Sequence, residues 1–77
     1  MNAPVLTLDR VPLGGVAVVT AVGGDGAFRT RLLELGFLPG TSVERTGQAP
    51  LGDPLTFRVR GAVFCLRAVD AAVVAVV

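Results

Sequence analysis

Residues 55 to 67 read LTFRVR-G-AVFCLR, two runs of period two joined by a single glycine. Successive side chains of a strand point to opposite faces, so the first run sorts Leu55, Phe57 and Val59 to one side and Thr56, Arg58 and Arg60 to the other. Gly61 suits a tight connection, and the pair reads as a hairpin with one apolar face. Slipping the register by one residue would turn that whole face to water, so the core must be built on it. In the second run Phe64 and Leu66 take the inward parity, while Val63, Cys65 and Arg67 share the outer face.

Other segments supply partners for this hairpin. GVAVVTAV (15–22) is β-branched and glycine-bounded, SVERTG (42–47) is a weaker strand, and VVAVV (73–77) closes the chain. TLDRV (7–11) predicts one short helical turn capped by Thr7, and VDAA (69–72) another. GGDGAFRTRLLELGFLPG (23–40) has a different period. Asp25 can accept from free amides of a first helical turn, Phe28, Leu32 and Leu35 fall on one face, and Gly36 is placed to end the helix in the left-handed conformation. Pro39 and Gly40 suit the following turn. Short strands plus one helix in 77 residues predict a small, strongly bent barrel.

Such a chain buries only about 60% of the surface its unfolded form exposes, so it needs a dense core. A hydrophobic content of 52% meets that need. The longest uncharged stretch, Val11 to Gly24, is broken by proline and glycine and too short to span a bilayer, and no secretory signal opens the chain. A cytoplasmic location is therefore expected, with membrane association only indirect. One cysteine and no histidine remove zinc clusters, Cys/His nucleophile pairs and Ser/His/Asp triads, so neither enzyme activity nor a cofactor or metal is expected. The seven cations are all arginines against six carboxylates, without interleaved aromatic residues, so no nucleic-acid partner is expected; a nucleic-acid-binding small barrel is the alternative from another class.

Three positions do not settle from pattern alone. Arg45 has the inward parity of its strand; either a bulge changes that parity or, as expected, its head snorkels to the barrel rim. Val63 and Cys65 face outward; either another segment covers them or they form a partner-binding patch. In APLGDPL (49–55), Pro50 and Pro54 push their preceding residues to extended conformations and Gly52 can take a positive φ. Leu51 at the tip is expected to fold down as a lid over one barrel end; if it does not, it is a contact residue.

RLLELGFLPG (31–40), APLGDPL (49–55) and LRAVDAAVVAVV (66–77), in that order and spacing, resemble the FeoA family of small accessory proteins of bacterial ferrous iron transport. The resemblance runs from about Leu8 to Val77. It implies a mainly β, SH3-like barrel with one inserted short α-helix, spanning 7–77 after a flexible terminus at 1–6. It also implies a non-enzymatic interaction module that binds or regulates FeoB, a membrane iron transporter with a cytoplasmic G-protein domain. The candidate partner-binding residues are Leu51, Gly52, Asp53, Val63, Cys65 and Arg67. The family tends to carry an apolar residue where this chain has Arg45. A related barrel also ends some metal-dependent repressors, which makes a detached repressor domain a further alternative.

Overall fold

The computed structural model describes residues 6–77. Their order is β1 (Leu6–Thr7), a 3-10 turn (Leu8–Arg10), β2 (Val16–Val22), α1 (Gly26–Leu35), β3 (Ser42–Gln48), β4 (Leu55–Val59), β5 (Ala62–Leu66), α2 (Ala68–Ala71) and β6 (Val74–Val76). The expected flexible terminus falls outside the described residues except for Leu6, which opens β1 opposite Val76.

All pairings are antiparallel, in the spatial order β1-β6-β2-β3-β4-β5. The expected small SH3-like barrel with an inserted helix forms, but its end strands do not pair, so the sheet stays open. Strand β2 makes the bend. Its first half, Val16–Val18, pairs with β3, and its second half, Val19–Val22, pairs with β6. Between Val19 and Ala21 the register shifts, leaving Thr20 as the extra residue of a bulge that turns one half-sheet over the other.

The alternation in β4 holds: Leu55, Phe57 and Val59 are buried, and they meet Val19, Val43, Leu32, Phe37, Val74 and Val76 in one core. Helix α1 begins where expected. Asp25 accepts the Phe28 amide, and the guanidinium Nε of Arg29 donates to the Val22 carbonyl at 2.9 Å, tying the helix to β2. Leu32 is buried, with Phe28, Leu35 and also Leu33 packed against the core. At the other end the Phe37 amide bonds the Leu32 carbonyl and the Gly36 amide the Leu33 carbonyl, the paired bonds of a Schellman stop, with Gly36 at φ 111°. The turn near the start also forms, but the Thr7 hydroxyl bonds the Asp9 carboxylate instead of capping a helical amide.

Arg45 departs from expectation. Its side chain does not reach the rim; the residue is 9% exposed. Nη1 donates to the Val11 carbonyl at 2.9 Å and Nη2 to Gln48 Oε1 at 2.5 Å, while Nε has no partner among the described residues. Its backbone is equally committed, with the Gly14 amide on its carbonyl and its own amide on the Gly15 carbonyl. The reason lies in a distant segment: residues 11–15 run beside β3, bonded to it through the Gly14 amide and the Gly15 carbonyl. That segment brings a carbonyl acceptor to the guanidinium and shuts water out together.

Candidate functional site

The 49–54 loop is held by its own backbone. The Gly52 amide donates to the Ala49 carbonyl at 2.8 Å across Pro50 and Leu51, and the Ala49 amide to the Pro54 carbonyl at 2.9 Å. Proline at the second position and glycine at the fourth suit a type I turn. Gly52 takes φ 93°, as its lack of a Cβ allows, and the Asp53–Pro54 peptide is cis. A further tie comes from outside the loop: Asp53 Oδ1 accepts the Ala68 amide at 2.9 Å, satisfying a free donor at the start of α2.

Leu51 does not cover the barrel. It is 98% exposed, which overturns the lid expectation. The third position of this turn projects away from the strands, and the core is completed instead by Leu8, Val11 and Phe37.

Beside the loop stands Arg67. Its Nε meets Asp70 Oδ2 at 2.9 Å and Nη2 meets Oδ1 at 3.4 Å. The hydrogen bond and charge of Asp70, with a smaller contribution from Asp53, raise the guanidinium pKa above its ordinary value. Two carboxylates against one guanidinium leave this corner with a net charge of −1 (Asp53 and Asp70, −2; Arg67, +1).

Arg67 continues the outer face of β5. Val63 is 55% exposed and Cys65 is an exposed free thiol, its sulfur 3.8 Å from Thr56 Oγ1 on β4. Among the described residues no segment covers them, and the outer face of β5 is exposed. Strand register extends the Val63 row across the sheet as Val63, Arg58, Glu44 and Val16. Arg58 and Glu44 form an exposed ion pair at 3.1 Å, flanked by two exposed valines.

The fold thus joins Asp53 to Arg67 through Ala68 and Asp70, and sets Val63 and Cys65 on the strand leading to them. Leu51 and Gly52 sit on the loop that Asp53 pins. Sequence reasoning passed over Asp70, whose signal was its place three residues after Arg67 at the start of a helical turn. It also passed over Glu44 as the cross-strand partner of Arg58, and Val16. Among the described residues no three Cys, Asp or Glu side chains gather to hold a metal ion, and no helix is long and apolar enough to cross a membrane.

Comparison with known proteins adds three findings. The FeoA domain model matches residues 6–77. A Porphyromonas gingivalis protein, an Fe(2+) transport protein A/Fe(2+) transporter FeoB fusion, is 39% identical over 67 residues, covering 87% of this chain but only 8% of its own length. Two solved structures share the fold. The Chlorobium tepidum FeoA solution structure has a TM-score of 0.86 at 32% identity, covering 92% of this chain and 68% of that one. FeoA from Stenotrophomonas maltophilia, crystallised with zinc and described as a prokaryotic SH3 domain protein, has a TM-score of 0.83 at 37% identity, covering 94% and 89%.

Proposed function

Because this chain belongs to the FeoA family, we propose that it is a non-enzymatic protein-interaction module of bacterial ferrous iron uptake that binds FeoB at its cytoplasmic G-protein domain and regulates it there. Fusion of an FeoA part to FeoB in the P. gingivalis relative supports the pairing. The observation that carries the reading in this chain is Leu51: a leucine 98% exposed on a loop closed by two backbone bonds and pinned by Asp53. Holding a large apolar side chain in water on a rigid turn adds nothing to the fold, whereas a pre-ordered apolar tip binds a partner with little further loss of entropy. Gly52 and Asp53 set the tip, Arg67 and its carboxylates give the polar rim, and Val63 and Cys65 extend the surface along β5. The protein would act at the cytoplasmic face of the membrane, held there by its partner.

A pull-down with the transporter's cytoplasmic domain tests this. Leu51→Asp should lower retention at least about tenfold, the scale of one buried anchor, and Arg67→Ala less. Both side chains are exposed, so the circular dichroism spectrum should hold and the stability should stay within about 0.5 kcal/mol of wild type. Full retention by Leu51→Asp would exclude the loop as the contact.

A further inference from the structure

The β4–β5 hairpin leaves one set of backbone groups without a partner among the described residues. Its loop is two residues, Arg60 and Gly61, both at positive φ (52° and 84°), so Val59 and Ala62 face each other as the closing pair. Such a hairpin closes on a hydrogen-bonded pair, and antiparallel ladders alternate. The pairs Val59–Ala62, Phe57–Phe64 and Leu55–Leu66 therefore exchange bonds inside the hairpin. The amides and carbonyls of Val63 and Cys65 point to the open side. Among the described residues β5 has β4 as its one strand neighbour.

Natural edges are usually guarded by charge, proline or a bulge. Ala62–Leu66 contains none of these. A strand edge of this kind is completed by another extended strand, and three features fit a second copy of itself. First, laid antiparallel about Phe64, the segment sets Val63 against Cys65 of the other copy and Ala62 against Leu66, apolar on apolar throughout. Second, hydrogen-bond parity matches: Val63 and Cys65 are the residues with free groups, and this register makes them partners twice over. Third, continued two residues past each end of the strand, the same register brings the turn carrying Arg60 of one copy toward Ala68, the first residue of α2, of the other. The amide of Ala68 is held by Asp53, beside Arg67 and Asp70, at the corner of net charge −1. Arg60 is exposed and has no salt-bridge partner among the described residues. A two-fold axis at Phe64 repeats this complementarity at both ends.

We propose that the protein self-associates through β5, forming a two-fold dimer in which the β5 strands pair antiparallel about Phe64 and Arg60 of each copy meets the Asp53/Arg67/Asp70 corner of the other. The interface is one strand pair, so association is weak and concentration-dependent. The dimer occupies Asp53, Val63, Cys65 and Arg67, which the proposed transporter contact also uses, so the two would compete, and self-association is measured first with this protein alone.

Sedimentation equilibrium from about 10 μM to about 2 mM should show a monomer–dimer equilibrium. Val63→Pro removes the edge-facing amide and leaves the β4 ladder intact, so it should weaken dimerisation about tenfold or more while the circular dichroism spectrum holds. Arg60→Asn removes the charge and suits the positive φ of the turn, so it should weaken dimerisation about three- to tenfold without lowering Tm. That opposition between fold and association separates the two effects, and it stands even if Val63→Pro folds poorly. A monomer throughout the range, or a dimerisation constant unmoved by Arg60→Asn, would overturn the proposal. So would protection of the Val63 and Cys65 amides that arises only when the transporter's cytoplasmic domain is added, which would give the edge to a foreign strand.

Discussion

A guanidinium taken out of water needs acceptors, and Arg45 finds them in the Val11 carbonyl and the Gln48 side chain, with no carboxylate among them. Its contribution is then mostly volume and two hydrogen bonds. Arg45→Ala should cost about 2–4 kcal/mol, from the space left and the acceptors stranded. Arg45→Met, which keeps most of the volume and relieves the buried charge, should cost about 1 kcal/mol or less. Urea denaturation of the two variants distinguishes them; equal losses would mean that the charge itself holds the 11–15 segment down. This residue and Leu51 were misread from the sequence for one reason. Parity along a strand and proline rules in a loop describe the chain's own path, but burial depends on what a distant segment brings. Val11 lies 34 positions from Arg45, and nothing in the local pattern announces its carbonyl. For Leu51, composition announces how much core the domain demands but not that Leu8 and Phe37 supply it.

At the level of elements the sequence was far more legible. Strands β2, β4 and β5 and helix α1 each carry a period, a cap or a stop within their own residues, and they form where those signals lie. Asp25, Gly36 and the Phe57 parity needed no tertiary information. The bulge at Thr20 left no such trace, because it answers a mismatch between two partners of β2. The outer-face parity of Val63, Cys65 and Arg67 was readable, but Asp53 meeting Ala68 was not, since a loop and a helix start must first be folded together. Gly36 offers a sharp test of the helix stop. Its φ of 111° disfavours any side chain, and a Cβ there would lie 3.4 Å from Val59 Cγ1. Gly36→Ala should therefore lower stability by about 1–2 kcal/mol, or roughly 4–15 °C in Tm for a domain of this size. An unchanged Tm would show that the stop can be rebuilt without the left-handed residue.

At the scale of the whole molecule, most of the positive charge of the described residues is paired or otherwise engaged. Of the seven arginines, Arg10, Arg58 and Arg67 sit against carboxylates, Arg45 is buried, and Arg29 is bonded to a carbonyl. Phosphate binding releases counterions only where several cations act together. Single-stranded RNA should accordingly show no salt-dependent retention even at about 50 mM salt, and binding that falls steeply between about 50 and 200 mM would restore the nucleic-acid reading.

The pairing of Leu6 with Val76 has a topological meaning. The two ends of the described chain meet as neighbouring strands, so the backbone is a ring in all but one covalent link. Where a ring is cut matters little to its shape: a short linker from Val77 to Leu6, with a new opening at an exposed turn such as 23–25, preserves every strand pair. It also means that anything fused at either end departs from the same place on the molecule. The Leu51 loop and the β5 edge belong to other strands of the sheet, and so stay available whichever end carries the fusion.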